Sequence, residues 1–283
     1  MNYRVVIPTA GTGSRLENLT KYINKSLLSV ANRPTISHLI DLFPVNCEFV
    51  IALGHKGNLV RDFLELTYPD KTFYFVNIEP YQGKGSGLGY TLLSCKQYLQ
   101  QPFVFLSCDT LLDGNIHEPT YNWMGYAERD DLLQYRTLYI TGDNVTQICE
   151  KGVFKENLWA YPGVAGVYDY DVFWKSMQDG GKDAIHQGET YGLRAILETS
   201  TVSAKKFVWF DTGNLEAISL ARKAYLKPNG PNILEKENEA IWFVGDNVIK
   251  YSDDEDFITN RIKRAKKLKG YVPEIFAHRP NMY

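Results

Sequence analysis

No stretch of the 283 residues stays apolar for the ~20 positions a membrane-crossing helix needs. The opening, MNYRVVIPTAG, has one arginine and a short apolar run, and so lacks the layout of a secretory signal. Neither sign of charge is in excess. With 31 Lys and Arg against 33 Asp and Glu, the net charge is −2, which excludes a global attraction to nucleic acid or acidic membrane surfaces. Cysteine is sparse: Cys47, Cys95, Cys108 and Cys149 stand far apart with no Cys-x-x-Cys pair. That is the pattern of reduced, buried thiols in a cytoplasmic protein, not of a disulfide framework. Internal repeats and low-complexity segments are missing too. What remains is an ordinary globular composition, 44% hydrophobic and 23% charged, long enough for one large domain or one domain with an appendage. Aromatic residues, at 13%, supply either core or the lining of a pocket.

Hydrophobic patterning then sets an order of elements. YRVVIPTA reads as a buried strand with a glycine turn behind it, and TISHLIDLF as a helix with Ile36, Leu39, Ile40 and Phe43 on one stripe. CEFVIALG is a second strand, NLVRDFLELTY a second helix, KTFYFVNIE a third strand, GLGYTLLSCKQYLQ a third helix and FVFLSCDTLL a fourth strand. This alternation predicts parallel strands joined by right-handed crossovers, with ligands at the strands' carboxyl ends. LLQYRTLYITGDNVTQICEKG reads as antiparallel strands around TGDN; AYPGVAGVYDYDVFWKSM and KKFVWFDTGNLEAISLARKAYL each give a strand and then a helix. Proline and glycine cluster in KPNGPN (227–232), which sets a boundary between residues 1–228 and 229–283. Past it, AIWFVGDNVIKYS reads as a hairpin. DDEDFITNRIKRAKKLKG reads as a helix whose acids lead and bases trail, complementing its dipole, with Gly270 as the stop.

Three predicted strand ends carry chemistry. Gly11-Thr12-Gly13-Ser14-Arg15 offers backbone N–H groups to a triphosphate, although the glycines alone fit an ordinary strand–helix turn equally well. No third glycine follows, so it is not a dinucleotide fingerprint, and Lys25 is too far along for a Walker loop. Arg15 and Lys25 supply the two cations that neutralise charge in phosphoryl or nucleotidyl transfer. Asp109 and Asp211 each end an apolar run and fit as ligands of one or two Mg²⁺ ions; the bland alternative for each is a turn or helix cap.

The segment GTGSRLENLTKYINKSLLSVANRP resembles the signature of the sugar-phosphate nucleotidyltransferases, Gly-x-Gly-Thr/Ser-Arg-Leu followed by Pro-Lys and Leu-Leu-Pro-Val. The arginine-to-lysine distance matches, while Asn18, Asn24 and Ser29 stand where that pattern has prolines. Further segments follow in the family's order: QGKGSGLGYTLL, FLSCDTLL, ICEKG (with Gly152 where proline is usual), YPGVAGVYDYDVF and WFDTGNLEAI, so that the resemblance covers about residues 3–226. It implies an α/β fold: a mixed, mostly parallel Rossmann-like sheet with helices on both faces, a small antiparallel acceptor-site element and a C-terminal hairpin–helix appendage. It also implies an Mg²⁺-dependent enzyme that moves NMP from an NTP onto a phosphorylated small molecule, a sugar 1-phosphate being the family's commonest choice. Arg15 and Lys25 would then be catalytic, Ala10, Gly11, Thr12, Gly13, Ser14, Gly85, Ser86 and Gly87 would hold the nucleotide, Glu150, Lys151 and Gly166 (with Gly163 nearby) the acceptor, and Asp109 and Asp211 the metal.

Other readings stand beside this one. A branch of the family couples CTP to phosphocholine, and Trp123, Tyr126, Trp159, Tyr161 and Trp174 would cage a quaternary ammonium, stack on a sugar, or fill core, core coming first for Trp174. A GT-A glycosyltransferase usually shows Asp-x-Asp, whereas Asp109 and Asp113 are four apart. A non-catalytic regulatory homologue would not need the four charged residues. Residues 235–270 resemble the opening of the choline kinase and aminoglycoside phosphotransferase family, with Lys250 as the ATP-binding lysine and Asn260 where its glutamate partner belongs. The expectation is either a chain cut from a two-enzyme fusion or a hairpin and helix that pack on the transferase or build a homo-oligomer.

Overall fold

Val5, Val6 and Ile7 are all fully buried, and consecutive apolar residues buried on both faces are what a central parallel strand requires. In the computed structural model, which describes residues 3–153, 155–226, 231, 233–234 and 236–283, Arg4–Pro8 indeed lies inside a ten-stranded sheet. Phe103–Leu106 and Glu48–Leu53 flank it, both parallel to it, and Thr72–Asn77 adds a fourth parallel strand at the edge. On the other side the sheet turns mixed. Val164–Val167 runs antiparallel between Phe103–Leu106 and Trp123–Tyr126. Val202–Lys206 pairs parallel with Trp123–Tyr126 and antiparallel with Asn144–Cys149. The antiparallel element expected around TGDN therefore continues the main sheet: Thr137–Thr141 pairs with Asn144–Cys149 and with Leu158–Ala160.

Side chains alternate across a strand, so the sheet sorts its apolar residues into two cores. Val5, Ile7, Phe49, Ile51, Val104 and Leu106 face one core, shared with the helices Thr35–Ile40, Gly57–Thr67 and Leu215–Ala224. Val6, Val50, Ala52, Phe103 and Phe105 face the other, covered by Leu88–Cys95, Tyr170–Asp179 and Glu189–Thr199. Helices thus cover both faces, as the sequence predicts.

The stretch FVFLSCDTLL is two strands, not one. After Phe103–Leu106 the chain turns, and Thr110–Asp113 pairs antiparallel with Val208–Asp211 in a separate ladder that sets Asp211 opposite Thr110. The Thr212 N–H then donates to the Asp109 carbonyl at 2.9 Å. This small ladder joins two aspartates that lie far apart in the chain.

Most of KPNGPN falls outside the described residues. Beyond it, Glu239–Val244 and Asn247–Ser252 form the expected hairpin, and Glu255–Lys267 the expected helix, its first turn capped by Asp254 accepting from Phe257 N at 2.9 Å. The hairpin is sunk into the first core. Trp242 is fully buried edge-on to Phe63, with ring centroids 5.2 Å apart, and its Nε1 donates to Ser29 Oγ at 3.0 Å. Tyr251 Oη donates to the Tyr22 carbonyl at 2.5 Å, and Phe243 N to the Asn32 carbonyl at 2.9 Å. Lys250 is ion-paired with Glu239 on the facing strand.

Candidate active site

At the end of Arg4–Pro8 the chain leaves the sheet through the glycine turn. Gly13 has φ 68°, and a Cβ there would meet Thr20 Cγ2 at 2.9 Å and Lys25 Cβ at 3.2 Å, so this position admits no side chain on both counts. Gly11 is open to solvent, and Ser14 and Arg15 are exposed, while Ala10 is buried with its carbonyl accepting from His55 N at 2.9 Å. The segment Lys25–Leu27 that follows is fixed by Asn24, which is fully buried. Its Nδ2 donates to the carbonyls of Thr9 at 2.9 Å and His55 at 2.5 Å, and its Oδ1 accepts from Ser26 N at 2.9 Å and Ser26 Oγ at 2.8 Å. A hydrogen-bonding side chain thus holds the turn where the resembling motif has a proline. Ser29, the second such position, accepts from Trp242. Asn18, the third, is exposed, and its carbonyl accepts from Lys21 N at 3.1 Å.

Lys25 Nζ reaches across to Asp109 Oδ2 at 2.8 Å, and Ser107 Oγ donates to Asp109 Oδ1 at 2.6 Å. Asp211 Oδ1 accepts from Gly213 N at 2.8 Å and Oδ2 from Tyr135 Oη at 3.2 Å. Gly213 marks where the charges meet: a Cβ there would lie 3.1 Å from Asp211 Oδ1, 3.2 Å from Arg15 Nη2 and 3.3 Å from Asp109 Oδ2. Burial pushes the Asp109 carboxyl up, but the Lys25 ammonium, the Ser107 hydroxyl and the Arg15 guanidinium outweigh it and hold it well below the usual carboxylate range. Burial likewise works against the Lys25 charge, and the Asp109 carboxylate overrides it, keeping the ammonium above its ordinary value. Asp211 is raised by burial and by the charge of Asp109, which Gly213 N–H, Tyr135 and Arg15 offset only in part.

Asp109, held ionised by its partners, and Asp211, whose proton affinity it raises, are a pair of carboxylates that fit a hard divalent cation. Among the described residues no group of three or more His, Cys, Asp or Glu side chains is placed to hold a metal. Mg²⁺, which binds through one or two carboxylates while keeping waters and phosphate oxygens, suits such a pair. Asp113 lies elsewhere, accepting from Tyr225 Oη at 2.9 Å, so it makes no Asp-x-Asp pair with Asp109.

The loop before Leu88–Cys95 carries Gly85 with φ 88° in open space and Ser86 donating to the Gly83 carbonyl at 2.7 Å. Gly87 has a packing reason to be glycine, because a Cβ would fall 2.6 Å from the Ile185 carbonyl oxygen. Gly166 is similar: its Cβ position lies 2.0 Å from Nε1 of the fully buried Trp123. Gly163, with φ 76°, backs onto Ser107, whose N–H donates to its carbonyl at 2.8 Å. Glu150 is clamped between Arg136 Nε at 3.1 Å and Arg194 Nη2 at 2.6 Å, while Lys151 is exposed. The five aromatics do not gather. Trp123 and Trp174 are buried in different cores, Trp174 stacked on Phe103 with its Nε1 donating to the Leu99 carbonyl at 2.8 Å. Tyr126 and Trp159 meet edge to face at 5.3 Å.

Sequence reasoning missed Ser107 and Tyr135, which hold the two aspartates, and the group Arg136, Arg194 and Glu189. Ser107 sits within FLSCD and was visible in principle. Nothing local marks the others.

No protein-family model matches the chain. In sequence it is 23% identical over 261 residues to the bifunctional protein GlmU of Methanococcus vannielii, an alignment covering 87% of this chain and 60% of that one. The chain therefore spans about three fifths of that relative's length. In structure it is similar to a UDP-glucose pyrophosphorylase complexed with UDP-glucose (TM-score 0.66, 19% identity, 80% of this chain and 98% of that one). It is also similar to the CTP:phosphocholine cytidylyltransferase of Streptococcus pneumoniae (TM-score 0.62, 16% identity, 79% and 97%). The relatives and the fold are those of nucleotidyltransferases.

Proposed function

We propose that this chain is an Mg²⁺-dependent nucleotidyltransferase that moves a nucleoside monophosphate from an NTP onto a phosphorylated small molecule and releases pyrophosphate. The observation that carries this is the meeting of Arg15, Asp109 and Asp211 around Gly213, with Lys25 ion-paired to Asp109. A phosphate monoester is already a nucleophile, so transfer needs no general base; it needs alignment and cancellation of charge. In this reading the amides of Gly11–Ser14 and the Arg15 guanidinium hold the leaving β- and γ-phosphates. Lys25 bridges the α-phosphate and the incoming phosphate. Asp109 and Asp211 hold Mg²⁺, which when bound supplies neutralisation of the phosphate charge. Ala10 with Gly85, Ser86 and Gly87 line the nucleoside, and Glu150, Lys151 and Gly166 the acceptor side. The acceptor class is a sugar 1-phosphate, in keeping with the UDP-glucose bound by one structural neighbour. A CTP and phosphocholine pair is the second reading, favoured by likeness to a cytidylyltransferase of that kind.

The free buried thiols fit a reducing cytoplasmic setting, and no described helix is long and apolar enough to cross a membrane. Residues 1–228 form the transferase and 229–283 an appendage in this proposal. Kinship of that appendage with a kinase lobe has in its favour the hairpin–helix order. A pyrophosphate-release assay tests the whole. It crosses ATP, CTP, GTP, UTP and dTTP with sugar 1-phosphates, glycerol phosphate and phosphocholine, with Mg²⁺ present or chelated. Release is expected with one pair, Mg²⁺-dependent, and reduced ~100-fold by Lys25→Ala, the scale of one lost transition-state contact. No release with any pair refutes the proposal, and a fully active Lys25→Ala variant refutes the role of that lysine.

A further inference from the structure

Between the strands Trp123–Tyr126 and Thr137–Thr141 the chain makes a loop whose two ends are pinned to neighbouring residues. Ala127 exchanges two backbone hydrogen bonds with Ala160, at 3.0 and 3.1 Å, and the Arg136 carbonyl accepts from Tyr161 N at 2.9 Å. Inside the loop, Asp131 accepts from Leu133 N at 3.1 Å and from Gln134 Nε2 at 2.7 Å, and Tyr135 N donates to the Leu132 carbonyl at 3.1 Å. Arg129 and Tyr135, both partly buried, meet on Trp209.

Trp209 stands two residues before Asp211 on the strand Val208–Asp211, so the two side chains share a face, and both are buried. Tyr135 packs edge to face on the indole with ring centroids 4.8 Å apart. The Arg129 guanidinium lies 5.2 Å from the Trp209 ring centroid and 5.5 Å from that of Tyr135. Its Nη2 donates to Tyr135 Oη at 3.2 Å, and Tyr135 Oη donates to Asp211 Oδ2 at 3.2 Å.

Chemistry fixes the direction of this chain. A guanidinium has donors and no acceptor, and a phenol has one proton. Tyr135 Oη accepts from Arg129, which directs that single proton to Asp211. With Gly213 N on Oδ1 at 2.8 Å, each carboxylate oxygen of Asp211 then has one donor and a lone pair to spare. The carboxylate is held in place while both oxygens stay able to ligate.

Resting on the reading of Asp211 as a ligand of Mg²⁺, we infer that Arg129 is a positioning residue: acting through Tyr135, it fixes the Asp211 carboxylate in the orientation that binds the divalent cation. Its charge opposes that task, because one cation repels another; what it contributes is geometry. Removing it therefore has opposite consequences in the two cases. If only its charge were felt at the site, metal would bind more tightly without it. If it holds Tyr135, metal binds more weakly.

The test is Mn²⁺ binding to the full chain without substrates, followed by electron paramagnetic resonance. Tyr135→Phe keeps the ring on Trp209 and loses only the hydroxyl. Arg129→Met keeps an unbranched stem on the indole and loses every donor. Each is expected to weaken Mn²⁺ binding ~10-fold or more, the usual scale for removing a group that orients a metal ligand, and to raise the Mg²⁺ needed for half-maximal pyrophosphate release by the same factor. The double variant is expected to be no weaker than Tyr135→Phe, because the two residues act in series. Arg129→Lys, which keeps a donor, is expected to fall between Arg129→Met and the parent, and it stands in if Arg129→Met does not fold. An arginine variant that binds Mn²⁺ as tightly as the parent or more tightly overturns the inference, and so do losses that add in the double variant. No Mn²⁺ binding by the unaltered protein overturns the metal site and the inference together.

Discussion

Asn24→Ala removes a side chain with no exposed surface and four hydrogen bonds, at 2.9 and 2.5 Å to carbonyls and 2.9 and 2.8 Å from Ser26. Alanine leaves the carbonyls of Thr9 and His55 and both Ser26 donors facing a void. Each bond contributes about 1 kcal/mol net, and each stranded buried partner costs about 1–3 kcal/mol. Some partners will relax or find water, so a total loss of about 3–5 kcal/mol is expected. Urea unfolding read at constant slope measures it. Lys25 follows Asn24 directly, so turnover falls as well, even at temperatures where the variant is folded. Asn24→Pro separates two explanations of the turn. The native φ of −71° suits a proline ring, so that variant keeps the backbone shape without the bonds. If backbone shape were enough, Asn24→Pro would match the unaltered protein; it is expected to stay clearly destabilised. An Asn24→Ala variant within about 1 kcal/mol of the parent, with parental turnover, refutes the claim that this side chain sets the loop.

Gly213→Ala places a methyl among Asp211, Arg15 and Asp109 without left-handed strain, so its melting temperature should stay near the parent's while pyrophosphate release drops ~100-fold; parental release would remove Gly213 from the centre of the site. Trp242→Ala should cost about 3–5 kcal/mol by cavity formation, and Trp242→Phe should weaken the active-site turn by losing the Ser29 bond; a Trp242→Ala variant as stable as its parent in urea would contradict this burial. Burial pushes Glu189 up to about 7 from an ordinary 4.5, so the folded state holds an extra proton between those values. Its contribution is full below the lower value and lost as pH rises through the upper one. Glu189→Gln should therefore gain on the parent by up to about 3 kcal/mol between pH 5 and 8, and parallel stability curves would show the carboxyl to be solvated.

The sequence made the reactive ends of the sheet legible because each rests on a local pattern: an apolar run, then Gly11 to Arg15, Asp109 or Asp211. Their meeting was legible only by inference from the fold. The ladder that joins Thr110–Asp113 to Val208–Asp211 pairs segments with no shared local signal. The prolines missing at 24 and 29 could not be explained from the sequence, because the groups that replace them, the carbonyls of Thr9 and His55 and the indole of Trp242, lie elsewhere in the chain. Glu189 was invisible for another reason. An acidic residue in a helix's first turn looks like an ordinary complement to the dipole, and nothing nearby announces that it is buried. The antiparallel strands join the main sheet through Val202–Lys206, which pairs with Asn144–Cys149 on one side and with the distant Trp123–Tyr126 on the other, and through a bridge between Ala127 and Ala160.

The hairpin of residues 239–252 touches the turn around Lys25 on both flanks, at Tyr22 on one side and at Ser29 and Asn32 on the other. The hairpin is part of the first core through Trp242, Val244, Ile249 and Tyr251, so it opens only by giving up that burial. Opening it therefore frees the turn around Lys25 and uncovers core in one step, and on warming activity should be lost together with the fold. Amides of the hairpin and of residues 22–32 should exchange with solvent together, as one cooperative unit. A ligand that loosens the hairpin would slow the chemistry through the turn it holds, without entering the active site.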